Sequence, residues 1–253
     1  MSRMIAAALC LVGLGFAAVA QQPLNPNERP APPRVNPQDK EDVWVLDFVF
    51  KNPRTITVDI PGRGKTTVWY LWYEVTNNTG APRFFSPTFE WVTLDRNTTH
   101  IDEVLPSVQE AIRKVEDPTG YLKIKNSVTI GKEPIPPSKP DAVPTPVYGV
   151  AIWPDVATKA ADTTRFSIFV SGLSNGWTID DAGIVRRKTL QLNFKRLTDA
   201  QHQDTLDVRF ITPSEYIYRS TSVAAPVKPA KPAAGKAAEE KPVEPKKEEK
   251  PEE

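Results

Sequence analysis

The chain has 253 residues, 40% of them hydrophobic and 9% aromatic, with 26 prolines, one cysteine and two histidines. Its 32 basic and 31 acidic residues leave a net charge of +1, which excludes a whole-chain attraction to nucleic acid or to an anionic membrane. Cys10, His100 and His202 are too few to build a zinc cage, a haem site or an iron–sulfur cluster, so neither metal nor cofactor is expected.

Arg3, the apolar stretch Met4 to Phe16 and Ala18-Val19-Ala20 stand in the order of a secretory signal, so residues 1–20 read as a signal peptide cleaved after Ala20. The apolar stretch is shorter than the roughly 20 residues a spanning helix needs, so no stable membrane anchor is expected after cleavage. The mature chain then belongs in the periplasm, at the cell surface or outside the cell. Cys10 leaves with the signal, and a thiol-free chain must rely on core burial instead of disulfides. Residues 21–41 hold six prolines and only Leu24 and Val35 as larger aliphatics, which predicts a disordered proline-rich leader. From Ala224 to Glu253 there are seven Lys, seven Glu, seven Ala and six Pro with no aromatic residue, the composition of a disordered tail that acts as a spacer or a solubilising end. Residues 42–223 remain as one domain long enough to bury a sizeable core.

Within that domain, Val43 to Phe50 alternates large apolar residues with period 2, the pattern of a buried strand. Arg54 to Ile60 and Thr66 to Thr76 follow as a hairpin around Pro61-Gly62-Arg63-Gly64-Lys65. Further strands are predicted at Phe84 to Asp95, Ser127 to Gly131, Val147 to Trp153, Arg165 to Gly172, Val185 to Leu197 and Leu206 to Thr212. Leu105 to Glu116 reads as a short amphipathic helix, with Pro106 in its first turn and Val108, Ile112 and Val115 on one face. Glu133 to Pro146 is too rich in proline for a central strand and reads as a stiff loop crossing between sheets. About nine strands, one helix and no alternation of strand with helix predict an all-β antiparallel sandwich.

The run Tyr73-Glu74-Val75-Thr76-Asn77-Asn78-Thr79-Gly80, followed by Phe85, Phe89 and Leu94-Asp95 and later by Gly149-Val150-Ala151-Ile152-Trp153, resembles the exported immunoglobulin-like modules of bacteria. Residues 42–222 as a whole resemble a family of exported bacterial proteins with no assigned function. The resemblance implies an immunoglobulin-like β-sandwich and no activity.

Gly172-Leu173-Ser174-Asn175-Gly176 fits the G-x-S-x-G pattern of a serine hydrolase, with Asp180 or Asp181 and His202 following in hydrolase order. That chemistry needs a helix directly after the serine, and Trp177 to Gly183 reads as loop, so the glycines are expected to serve a turn with positive φ. Gly64-Lys65-Thr66 lacks the helix that would make it a phosphate loop, and His100 beside Asp102 and Glu103 reads as a polar loop residue. Arg186, Arg187, Lys188, Lys195 and Arg196 crowd one strand, where alternation divides them between two faces; a solvated sheet edge is the expectation. Trp69 to Tyr73 carries aromatics on both faces of one strand, so Tyr70 and Trp72 either lie under the helix or form an exposed binding face. The sequence therefore predicts an exported non-catalytic module that binds or scaffolds an envelope protein or polysaccharide, with Tyr70 and Trp72 as candidate binding residues. An envelope serine hydrolase built on Ser174 is the alternative.

Overall fold

Alternating apolar side chains can be satisfied only by a second apolar layer, and the chain supplies one from its own later strands. The computed structural model describes residues 27–139, 141–197 and 207–220; the segment 1–20, the tail 224–253 and His202 lie outside the described residues. Among the described residues the strands are β1 (Glu28–Ala31), β2 (Asp47–Lys51), β3 (Arg54–Ile60), β4 (Gly64–Thr76), β5 (Thr88–Thr93), β6 (Thr99–Ile101), β7 (Lys125–Asn126), β8 (Val147–Trp153), β9 (Arg165–Ser171), β10 (Trp177–Ile179), β11 (Val185–Arg196) and β12 (Val208–Arg219). Helix α1 (Pro106–Glu116) follows β6, and α2 (Val156–Lys159) follows β8. The protein is thus mostly β.

The first sheet has the order β1-β2-β4-β8-β7, with β3 beside β4; the second has the order β10-β11-β9-β5-β6, with β12 beside β11. Both sheets are antiparallel except for the parallel pair β7 and β8. β4 is the spine of the first sheet. On one side it pairs with β3 and then with β2, and on the other with β8. Proline lacks an amide donor, and Pro53 falls in the break between β2 and β3.

The sheets stack through rings that meet across the interior. Trp69 of the first sheet lies 5.5 Å from Trp91 of the second, Tyr73 lies 4.8 Å from Phe89, and Phe50 meets Phe194 edge-on at 6.1 Å. Tyr73 needs the space of a missing side chain, because a Cβ on Gly149 would fall inside its ring. The chain changes sheet between two adjacent residues: the Asp102 amide donates to Phe89 of the second sheet, and the Glu103 amide donates to Ile152 of the first.

Several predicted elements differ. Residues 28–31 of the leader form β1, which pairs with β2 and buries Ala31, because an edge strand is held by backbone bonds and tolerates Pro30. Ser127 to Gly131 is not a strand; it ends in a 3-10 turn at Ile130–Lys132. Residues 133–146 do not cross between sheets, since β7 and β8 on either side of them belong to the same sheet. Val115 on α1 is exposed, so the buried face of the helix consists of Val108 and Ile112. β12 continues past Pro213 by leaving the ladder between Ile211 and Glu215, so that the proline sits in a bulge.

The outer face of the first sheet is apolar as well. Val68, Tyr70 and Trp72 of β4 and Val150 and Ile152 of β8 form a second cluster closed by Val108 and Ile112 of α1. Glu116 at the end of the helix is 3% exposed and accepts from Lys51 Nζ at 2.9 Å, Arg54 at 3.0 Å and the Tyr70 hydroxyl at 2.9 Å. Trp72→Ala is therefore expected to lower stability by about 3–5 kcal/mol, as ring truncations in cores do. Tyr70→Phe, which removes one hydrogen bond to a buried carboxylate, should cost roughly 1–3 kcal/mol. Urea unfolding followed by tryptophan fluorescence measures both, and unchanged midpoints would show that α1 does not cover this face.

Candidate functional site

Tyr70 and Trp72 are not an exposed binding face. They are 3% and 2% exposed, because the i, i+4 pair Val108 and Ile112 lays α1 across them. The Lys51 ammonium lies 4.2 Å from the Trp72 ring. Burial, and after it the charge of Glu116, pushes the Tyr70 hydroxyl well above its ordinary pKa and keeps it a donor.

Ser174 belongs to a seam between the sheets. Its hydroxyl donates to the Trp44 carbonyl at 2.6 Å and accepts the Gly176 amide at 3.0 Å. Leu46 N bonds to the Leu173 carbonyl and Trp44 N to Asn175 Oδ1, so residues 44–46 are stitched to residues 173–175. Gly172 has φ +91°, as a turn glycine should, whereas Gly176 does not have positive φ. Gly176 is needed for space instead, since a Cβ there would crowd Lys188 and Tyr218. His202 lies outside the described residues. His100 is used elsewhere: its Nδ1 lies 2.8 Å from Asp155 at the start of α2 and its Nε2 lies 3.0 Å from Thr98 Oγ1. This hydroxyl–imidazole–carboxylate chain is sealed, with the imidazole 4% exposed, and it ties the β5–β6 turn to α2.

β11 is not a sheet edge. It is paired on one side with β12 and on the other with β10 and then β9. Its alternation divides the cations as the sequence implied, but the inward pair is buried. Lys188 and Arg196 sit at the two ends of the inward row that contains Leu190, Leu192 and Phe194. Arg196 donates to the Ala161 carbonyl at 2.7 Å. Burial pulls its pKa down, and the charge of Asp207 acts against that. Lys188 donates to the Arg34 carbonyl at 2.7 Å and to Asp39, whose other oxygen accepts from the Tyr218 hydroxyl at 2.7 Å. Partial burial works to raise the Asp39 pKa, but the bonds from Lys188, the Asn36 amide and Tyr218 outweigh it and hold the carboxyl below its ordinary value. A shallow cleft lined by Pro33, Val35, Val43 and Lys188 opens beside this network.

The outer face of the second sheet carries the side chains that the core does not use. At one end the β10–β11 hairpin places Trp177 opposite Arg187 and Ile179 opposite Val185 on a single face. Trp177 is 46% exposed, Ile179 54% and Val185 50%, and the Lys40 ammonium lies 3.9 Å from the Trp177 ring. In the middle, Glu90 is paired with Arg219, whose guanidinium lies over Phe169. Asn193 Oδ1 accepts from both Ser167 Oγ at 2.6 Å and Gln191 Nε2 at 2.8 Å. At the far end Lys195 of β11 stands between Arg165 of β9 and Arg209 of β12, and all three are exposed. Sequence reading missed Trp177, Arg165 and Arg209 because their neighbours come from other strands; the alternation in Val185 to Leu197 was the one local signal.

Compared with protein-family models, curated proteins and solved structures, the chain has no match.

The buried Asp39–Lys188 pair gives a pH test. Asp39→Asn leaves a buried ammonium without its counter-charge and is expected to cost about 3–5 kcal/mol at neutral pH. A carboxyl depressed below 3.8 contributes stability that is complete above that pH and is lost as pH falls through its lower folded value. The gap between wild type and variant, measured by urea unfolding at a series of pH values, should stay constant down to about pH 4 and close below it.

Proposed function

We propose that the protein is an exported, non-catalytic module with an immunoglobulin-like β-sandwich, which binds or scaffolds envelope components, protein or polysaccharide, in the periplasm or at the cell surface. The observation that carries this reading is the exposed apolar patch of the β10–β11 hairpin, Trp177, Ile179 and Val185, at one end of the outer face of the second sheet. A large aromatic ring with aliphatic neighbours and flanking cations has the composition of a protein-docking hot spot. The first sheet supports the same assignment from the other direction, since α1 seals its outer face and leaves the second sheet to meet partners. The hydroxyl of Ser174 is engaged in the seam with Trp44, which favours a structural role for the G-x-S-x-G sequence over a nucleophilic one.

Export has a direct test. N-terminal sequencing of the mature protein from its native host should begin at Gln21, and a membrane-bound chain that keeps Met1 contradicts the reading. For binding, the mature chain and its Trp177→Ala/Ile179→Ser variant are immobilised and exposed to a solubilised envelope extract. Retention of partner proteins should fall by more than about tenfold in the variant. Its unfolding free energy should stay within about 1 kcal/mol of wild type, because these side chains are half-exposed. An unchanged set of retained proteins would remove the hairpin from the function.

A further inference from the structure

The row Arg165–Lys195–Arg209 is costly as a purely structural feature. Lys195 faces Arg165 in one ladder and Arg209 in the next, and like charges directly opposite one another in a sheet repel. Among the described residues none of the three has an acidic partner. The acids at this end are engaged elsewhere: Asp95 accepts the Thr164 amide at 2.7 Å, Asp162 pairs with Arg96, and Asp207 acts on Arg196. Some exposed cations elsewhere are paired, as Arg63 is with Glu103 and Arg186 with Asp180, but those do not face another cation across a ladder as Lys195 does twice. Here the sheet spacing of about 4.8 Å sets the Cα atoms of the three cations in a line about 10 Å long.

A second feature stands next to this line. Asn193 precedes Lys195 by two residues and shares its face, and its amide oxygen is pinned by Ser167 and Gln191. The amide is planar, so fixing the oxygen fixes the NH2 group, which has no protein acceptor among the described residues and is left as an oriented donor beside the cations. The β11–β12 ladder is interrupted at the same level, between Ile211 and Glu215.

We propose that this face binds an acidic polysaccharide, with Arg165, Lys195 and Arg209 meeting successive carboxylate or sulfate groups and Asn193 donating to a sugar oxygen. Regular spacing of the cations calls for a ligand with repeating anions. The chain as a whole is nearly neutral, so attraction to an anion must come from local clusters of cations, and a line of them suits a linear polymer lying on a flat sheet. A single-stranded nucleic acid requires aromatic platforms, and the nearest ring on this face, Phe169, is 8% exposed beneath Arg219. Leu94, Leu197 and Ile211 flank the row as exposed apolar side chains, too few to seat the face in a lipid bilayer. The inference rests on the reading of the protein as a binding module but not on the hairpin.

The test uses the mature chain and polygalacturonate as probe, with neutral dextran and vesicles of phosphatidylglycerol and phosphatidylcholine as comparisons. Wild type should bind polygalacturonate with an affinity that falls as salt rises, and should not bind dextran. Arg165→Gln/Lys195→Gln/Arg209→Gln should lose at least about tenfold in affinity together with the salt dependence. Asn193→Asp keeps the accepting oxygen but replaces the donor with a negative charge, and should lose affinity comparably. Lys65→Gln/Lys132→Gln/Lys139→Gln, which removes the same charge elsewhere, should bind as wild type does. Equal binding by wild type and the first triple variant overturns the proposal, as does equal loss in the control triple. Binding of the anionic vesicles through the row without binding of polygalacturonate overturns the glycan assignment. The Trp177→Ala/Ile179→Ser variant should bind polygalacturonate normally, so failure of the hairpin and failure of the row are separately visible.

Discussion

Both faces of β4 are apolar, and this fixes the rest of the architecture. Trp69, Leu71, Tyr73 and Val75 point into the stack, while Val68, Tyr70 and Trp72 point out of it. A sheet with one solvated face would leave two large rings in water, a surface that monomeric proteins seldom tolerate. The chain resolves this at the point where it changes sheets. Between β6 and β7 it lays α1 over the outer face, and Glu116 fixes the last turn of the helix by collecting Lys51, Arg54 and Tyr70. A carboxylate that is 3% exposed is stable only with several donors, so the anchor and the cover depend on each other. Sealing the first sheet leaves the second to face solvent and whatever else the protein meets.

β11 shows how one strand separates structural from surface charge. Its inward row ends in Lys188 and Arg196. The first is satisfied by Asp39, Tyr216 and the Arg34 carbonyl. The second is satisfied only in part, its Nη1 by backbone carbonyls and its plane by the Trp69 ring, while Nε and Nη2 have no hydrogen-bond partner among the described residues. These cations close the two ends of the interior, where strands run out and side chains must reach from the apolar layer toward water. The outward row is handled unevenly: Arg219 opposite Arg187 is paired with Glu90, whereas Lys195 faces two arginines and none of those three has an acidic partner among the described residues. Seven residues apart along one strand, and hence on opposite faces, one lysine is a buried strut and the other a surface charge.

Much of the fold was legible in the sequence because it is local. The hairpin around Gly62 and Gly64, the period-2 strands and the start of α1 at Pro106 follow from residues within a few positions of each other. What was not legible depends on partners distant in the chain. The leader looked incapable of structure because it has few aliphatics, yet Glu28–Ala31 needed only the backbone of β2. Ser174 reads as part of a turn, with a hydrolase as the alternative, and the sequence cannot show that Trp44, 130 residues away, accepts from its hydroxyl. Tyr70 and Trp72 were ambiguous for the same reason: alternation shows that two faces are apolar and cannot show what covers them. The basic row is the extreme case, since the sequence shows Lys195 only beside Arg196, which turns inward, and it acquires meaning only when β9 and β12 bring Arg165 and Arg209 to its sides.

The two surfaces on the second sheet differ in chemistry and in reach. Arg187 beside the hairpin and Lys195 in the basic row lie on one strand, eight residues apart, which at about 3.4 Å per residue separates them by roughly 27 Å. Charges that far apart are screened from each other at physiological salt, where fields decay over about 8 Å, so occupancy of one surface does not electrostatically favour or oppose the other. Their coupling is geometric instead. A rigid strand shared by both sets a fixed distance between an apolar contact and an ionic one, and a partner that spans it gains from effective concentration without any new contact. A partner that presents an apolar and an anionic surface together can engage both, and the length of β11 selects which spacings can be engaged at once.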